Sequence, residues 1–377
     1  MAAGTGDFLY MASRHASVVL LGTDLSGGPL LQLKRRPSAT GRYRRGLVIG
    51  LVVLMTFYAV ACGNTEPSGS GSAGRPTSTA SAAKSATASS PAAGVAQIVS
   101  AQQLKGRTWD MTVRSPAVGA DVHVRLLLPS RFTSAPDRRW PALYLLHGCC
   151  DSYLSWTRST DIERLSKDLD ALVVMPDGGK AGFYSDWRSG PHWETFHLQE
   201  LPGLLKERYR ANDRRVVAGV SMGGLGALGY AARHPGMFTV AASFSGIVNT
   251  RLAPEESRAY LGLLQSQGED PDGLWGDPDT DVDVWRAHNP YDLAEKLAGT
   301  RLYVSVGSGR PGPLDQADAT FDQTESALRA EHEAFVKRVR ELHLDAHIDL
   351  YTPGTHNWVY WQRELHKAWP LLTAGLG

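Results

Sequence analysis

The turn Gly219-Val220-Ser221-Met222-Gly223 lies between an apolar run, Val216-Val217-Ala218, and a segment patterned as a helix, Leu225 to His234. A strand that reverses sharply into a helix leaves no room for side chains beside the central residue, so both flanking positions are glycine. The turn lifts the Ser221 hydroxyl above the end of a sheet. It also aims the next backbone N–H, that of Met222, at the space over the serine. A strand, Gly-x-Ser-x-Gly, helix order therefore fixes a local geometry and demands a covered sheet to carry it.

The surrounding pattern agrees. Apolar, β-branched runs predict strands over 121–128, 141–147, 171–176, 215–220, 239–245, 301–307 and 346–351. Helical patterns fall over 159–168, 194–209, 222–234, 290–298, 319–343 and 357–373. Short apolar strands alternating with helices imply an α/β fold with a mostly parallel sheet covered on both faces. In such sheets chemistry gathers at the carboxyl ends of the strands. Residues 96–377 are expected to form this single domain. The formal net charge of +1 comes from interspersed charges, which argues against a nucleic-acid partner. The 12 histidines show no metal-ligand spacing, so neither a metal nor a cofactor is expected.

Residues before 96 read differently. The apolar run 46–61, preceded by Arg42, Arg44 and Arg45, suits the core of a signal peptide and is short for a membrane span. It ends in Ala59-Val60-Ala61-Cys62-Gly63, which resembles a bacterial lipoprotein processing site, with Cys62 as the lipidated residue. Plain cleavage after Ala61 and an uncleaved anchor are the alternatives. Residues 1–62 are thus a leader. Residues 63–95, almost wholly Ser, Gly, Ala, Thr and Pro, form a tether that cannot bury a core. The expected product is exported, membrane-anchored or secreted, and monomeric.

A serine hydroxyl needs a base, and the expected base follows the last strand. His356, in Gly354-Thr355-His356-Asn357-Trp358, directly follows the strand predicted at 346–351. His332, His343 and His366 fall in helical patterns and His347 within a strand. The acid is one of Asp315, Asp318, Asp322 and Glu325, all after the strand at 301–307. A second backbone donor for an oxyanion is expected from Leu145-Leu146-His147-Gly148-Cys149-Cys150, with the Cys149 N–H as donor. The 3 cysteines cannot make a disulfide framework. Cys149 and Cys150 read as small residues beside the site, one of them a free thiol, because bonding between sequence neighbours is rare.

From about residue 108 to the C-terminus the chain resembles the esterase D-like α/β-hydrolases, and within them the secreted mycolyltransferases of the antigen 85 type. The matching pieces include Gly182-Phe183-Tyr184-Ser185-Asp186-Trp187, Trp193-Glu194-Thr195-Phe196, Leu274-Trp275-Gly276, Asn289-Pro290 and Gly354-Thr355-His356-x-Trp358-x-Tyr360-Trp361. The resemblance implies an α/β-hydrolase fold with a small lid and a Ser-Glu-His triad. Its glutamate falls on Glu325, with Asp315 and Asp322 as alternatives. It also implies an acyl-enzyme on Ser221 and acyl-ester or glycolipid substrates. The family's Leu-Leu-Asp-Gly is Leu145-Leu146-His147-Gly148 here, and the acidic and basic groups of its trehalose pocket have no counterpart, so the acceptor is open. His147, Cys150, Trp358 and Trp361 are the candidate pocket residues; the tryptophans either wall the site or pack the last helix onto the sheet. Segment 250–288 is expected to lid the acyl site, either as a groove or as the inner face of a cap. A carbohydrate (feruloyl or acetyl) esterase and a non-catalytic surface binding module are the competing functions.

Overall fold

Among the described residues, nine strands form one sheet: β1 (Gln97–Lys105), β2 (Thr108–Ser115), β3 (Ala120–Leu127), β4 (Trp140–Leu146), β5 (Leu172–Pro176), β6 (Ala211–Val220), β7 (Val240–Phe244), β8 (Arg301–Val306) and β9 (Ala346–Leu350). Their order is β1-β2-β3-β5-β4-β6-β7-β8-β9. The first strands are an antiparallel meander, β3 pairs antiparallel with β5, and from β5 to β9 every pairing is parallel. The computed structural model describes residues 94–377; the predicted leader, Cys62 and nearly all of the predicted tether lie outside the described residues. No helix among the described residues is long and apolar enough to cross a membrane.

Buried strands need apolar side chains on both faces. Along β4, Ala142, Tyr144 and Leu146 enter one core, while Leu143 and Leu145 enter the other. The first core is closed by helices α4 (Leu201–Arg208), α5 (Met222–Arg233) and α9 (Gln323–Glu341). The second is closed by α1 (Ser155–Ser159), α2 (Ile162–Leu165) and α10 (Trp358–Ala374). Each fully buried Leu or Val stabilises the fold by about 1.5–3 kcal/mol relative to exposure. The mostly parallel sheet with helices on both faces is the architecture expected.

Some elements differ from expectation. Strands β1 and β2 were unpredicted: β1 is exposed along nearly its whole length and carries no apolar alternation to reveal it. The helix expected over 159–168 divides into α1 and α2, because Thr160 is extended. The one expected over 194–209 runs as α3 (Trp193–Thr195), a π turn (Phe196–Glu200) and α4. Segment 290–298 holds only a single 3-10 turn, Ala294–Leu297. The lid segment is itself helical, with α6 (Pro254–Ser266), α7 (Pro271–Leu274) and α8 (Val282–His288).

That segment is docked on the body by polar anchors as well as apolar packing. The Trp275 indole N–H donates to Ser185 Oγ at 2.9 Å, while that of Trp285 donates to the Gly276 carbonyl at 3.0 Å within the segment itself. Glu331 of α9, buried, accepts the amides of Val248 and Asn249, each at 2.8 Å, and the Tyr260 hydroxyl.

The rings of His197 and His332 are buried. His197 Nδ1 and Nε2 meet the Tyr230 hydroxyl and the Asp177 carbonyl, each at 2.8 Å. His332 Nδ1 meets the Leu328 carbonyl at 2.7 Å. Burial lowers both pKa values to about 4. In the unfolded chain they titrate near 6.5. Between about pH 6.5 and 4 the unfolded state therefore binds more protons, and stability falls as pH drops. Thermal melts across that window are expected to show a falling midpoint. His332→Gln should flatten the slope, by on the order of 1–3 kcal/mol at the acid end.

Candidate active site

Ser221 stands between β6 and α5 with φ 53° and ψ −121°. A non-glycine residue held in that region carries strain that the surroundings must impose. The surroundings are backbone. A Cβ on Gly223 would strike the Leu146 and His147 carbonyls, and one on Gly219 would strike the backbone of Gly223. The glycine requirement read from the sequence thus has a steric origin on both sides of the serine.

His356 Nε2 lies 3.0 Å from Ser221 Oγ, and its Nδ1 lies 2.7 Å from Glu325 Oε2. Glu325 is completely buried. Its second oxygen accepts the Gly307 amide at 2.5 Å and the Ser245 hydroxyl at 2.7 Å. Ser245 Oγ in turn accepts the Trp361 indole N–H at 3.0 Å. With Glu325 accepting, the imidazole proton sits on Nδ1 and Nε2 is left to accept from the serine.

The other acids have different surroundings. Asp322 caps α9: its Oδ1 accepts the Glu325 amide at 3.0 Å and its Oδ2 accepts the His356 amide at 2.8 Å. Asp315 braces the loop after β9, accepting Thr355 Oγ1, the Tyr360 hydroxyl at 2.5 Å and the Gly312 amide at 2.7 Å. Burial pushes its pKa up, but these hydrogen bonds outweigh that and hold it below the usual range. Asp318 is exposed and makes no contact with the imidazole. Ser245 and Gly307 escaped the sequence reading. Their only signal was position, each just past the carboxyl end of a parallel strand.

The loop after β4 runs beside the serine: a Cβ on Gly148 would come within 3.2 Å of Ser221 Cβ. His147 is not a pocket residue. Its ring is fully buried, with Nε2 at 2.9 Å from the Gly178 amide and 3.2 Å from Asp177 Oδ1, and Nδ1 donating to the Gly148 carbonyl at 2.8 Å. That carbonyl shares a peptide plane with the Cys149 N–H, so His147 sets the direction of the amide from behind. The free-thiol expectation is also corrected. Cys149 and Cys150 are joined by a disulfide, in a turn where Cys150 has φ 66° and its amide donates to the Lys180 carbonyl at 2.7 Å. That backbone brings neighbouring side chains to one side. The Met222 amide is the first of α5 and has no intrahelical acceptor.

A cavity of about 350 Å³ lies over Ser221, lined by Gly148, Cys149, Asp151, His356 and Trp358 with Val220, Asn357 and Trp361. This is within the usual range for small-ligand sites, about 300–1,000 Å³. Cys150 is exposed and outside the lining. Trp361 meets His356 edge-on at 4.8 Å between ring centres, and Trp358 meets Trp361 the same way at 5.1 Å. The two tryptophans both wall the cavity and pack α10 against the sheet. Segment 250–288 contributes nothing to this lining. Tyr260 and Trp275 instead face Phe183, at 6.1 and 5.8 Å between ring centres. The inner face of a cap is the reading these contacts favour.

The mostly parallel sheet, the strained serine at its carboxyl edge and the imidazole beside it define an α/β-hydrolase. Residues 115–372 match the Esterase family, and the chain belongs to it. It is 30% identical over 286 residues to diacylglycerol acyltransferase/mycolyltransferase Ag85B of Mycolicibacterium smegmatis, covering 71% of this chain and 85% of that one. Among solved structures it is similar to Mycobacterium tuberculosis MPT51 (FbpC1), with a TM-score of 0.60, 25% identity, and 74% and 100% of the two chains covered. An S-formylglutathione hydrolase from Agrobacterium tumefaciens shares the fold, with a TM-score of 0.59 at 19% identity, covering 74% of this chain and 99% of that one. Ester hydrolysis or acyl transfer is accordingly the class of chemistry.

Asp322 offers a test of how the site is held. Asp322→Ala removes a helix cap and the hydrogen bond to the His356 amide together. Denaturant titration is expected to show a loss of about 1–2 kcal/mol. Asp322→Asn keeps one acceptor oxygen for the two amides and should recover only part of it.

Proposed function

We propose that this protein is an exported serine esterase or acyltransferase that works through an acyl-enzyme on Ser221. The observation that carries the reading is the unbroken hydrogen-bond chain Ser221–His356–Glu325, ending in a buried carboxylate and opening on a cavity. Ser221 Oγ attacks the acyl carbonyl carbon while His356 Nε2 takes its proton. Glu325 orients the ring and stabilises the imidazolium. The N–H groups of Met222 and Cys149 hold the oxyanion, a contribution of the order of 10²–10³ in kcat for each donor. His356 then returns the proton to the departing alcohol. Water or a second hydroxyl, deprotonated by the same imidazole, cleaves the acyl-enzyme.

The Ag85B relative is named a diacylglycerol acyltransferase/mycolyltransferase, and that likeness supports acyl transfer to a lipid acceptor. The buried His147, in place of that family's aspartate, removes one polar group from the acceptor side. Export rests on the apolar run 46–61 and on Cys62 as a lipidation site.

A fluorophosphonate probe should label the protein and fail to label Ser221→Ala; labelling of both would defeat the assignment of the nucleophile. Glu325→Gln is expected to lower kcat by about 10³–10⁴, whereas Asp315→Asn leaves the chain intact and costs far less. Product analysis with acyl esters of increasing length, with and without sugar or glycerolipid acceptors, separates the two chemistries. Free acid alone in every reaction means a hydrolase.

A further inference from the structure

The Cys149–Cys150 disulfide takes no part in the proton relay, yet Cys149, packed against the edge of the first core, stands in the wall of the cavity. Cys149 lines that cavity, and Gly148, its neighbour, abuts the Ser221 Cβ position. The peptide N–H assigned to the oxyanion is attached to the Cys149 Cα, which is an atom of the ring that the disulfide closes. His147 holds the Gly148 carbonyl at one end of this turn, and the Lys180 carbonyl holds the Cys150 amide at the other. Between them Cys150 keeps φ 66°, a conformation that a non-glycine residue leaves unless something retains it. The disulfide is the covalent retainer. One of its two sulfurs belongs to an exposed residue, Cys150, and the other to a partly buried one, Cys149.

We propose that Cys149–Cys150 is a redox site governing the activity of the Ser221 centre. The disulfide form holds the Cys149 amide on the oxyanion, and the dithiol form releases it. The inference rests on the acyl-enzyme reading above. The chemistry is an exchange with an external dithiol. A reductant thiolate attacks the exposed Cys150 sulfur, and Cys149 departs as a thiolate. The reductant's second thiol then closes on the mixed disulfide and frees Cys150. The protein gains two electrons and two protons, and the reductant leaves as its own cyclic disulfide. The new Cys149 thiol faces the cavity, and the vicinal pair becomes a ligand for trivalent arsenicals and a target for alkylation.

The test uses the full-length protein, with dithiothreitol as the reductant. Alkylation without reduction, followed by digestion and mass spectrometry, should find the peptide carrying Cys149 and Cys150 unalkylated and lighter by two hydrogens. After reduction the same peptide should carry both labels. Turnover of a soluble p-nitrophenyl ester should fall by about 10–100-fold in kcat, as for an ångström-scale displacement of an oxyanion donor. KM should move far less, the thermal midpoint should show the protein still folded at assay temperature, and reoxidation should restore the rate. Phosphonylation of Ser221 by a fluorophosphonate, whose oxyanion uses the same amides, should slow in parallel. Cys149→Ala/Cys150→Ala should sit near the reduced rate and ignore dithiothreitol.

Free thiols at both positions in the air-oxidised protein would overturn the proposal. So would equal kcat and equal phosphonylation rates before and after a reduction verified by mass. Absence of phosphonylation in either form would defeat the reading of Ser221 itself, a separate result from equal labelling in both.

Discussion

The buried carboxylate of Glu325 is the point on which the site depends. A charge withdrawn from water must be paired and hydrogen-bonded or its desolvation is ruinous. Glu325 meets this with partners from different parts of the sheet. They are the Gly307 amide after β8, the Ser245 hydroxyl after β7 and the imidazole of His356 after β9. The carboxylate is thus a junction tying strand ends together. The imidazole can present Nε2 to Ser221 only because Nδ1 is held from behind. Asp322 binds the same elements through backbone, capping α9 and gripping the His356 amide.

Around this junction the protein spends its structural resources on orientation. The elbow excludes side chains so that two carbonyl-lined segments approach Ser221 closely. The loop after β4 is fastened by His147, by the Tyr184 hydroxyl on the His147 carbonyl at 2.9 Å, and by the Cys149–Cys150 bond. Trp361 supports both His356, by edge contact, and Ser245, by its indole N–H. A single C-terminal helix therefore steadies the imidazole and the carboxylate together. The lid helices are anchored to the body, and the cavity is bounded by α10 and the β4 loop.

Much of this was legible in the residues. The Gly-x-Ser-x-Gly turn between an apolar run and a helical pattern located the serine, because sterics at an elbow admit few other sequences. The central strands showed as apolar runs because both of their faces are buried. His356 was found by its place after the last strand, and Glu325 came through the family resemblance. Strand β1 was invisible because an exposed edge strand owes its structure to pairing with β2 and leaves no periodicity. The lid helices were missed in a segment that combines apolar positions with prolines, glycines and aspartates. His147 was misplaced for a related reason: a polar residue at a strand end looks the same whether its ring faces a pocket or turns inward to hold a peptide.

Local order is what the chain's sequence determined by itself: which segments are strands, where the backbone must be glycine, and which side chains can act as nucleophile and base. These follow from sterics and from burial periodicity within a few residues. Tertiary structure decided which of several acids meets the imidazole, that Asp315 and Asp322 hold backbone instead, and that adjacent cysteines are bonded beside the serine. Those outcomes depend on crossovers that bring positions 221, 245, 307, 325 and 356 to one edge of the sheet. A hydrogen bond has a reach of about 3 Å and a strict direction, and neither is written in the spacing of residues along a chain.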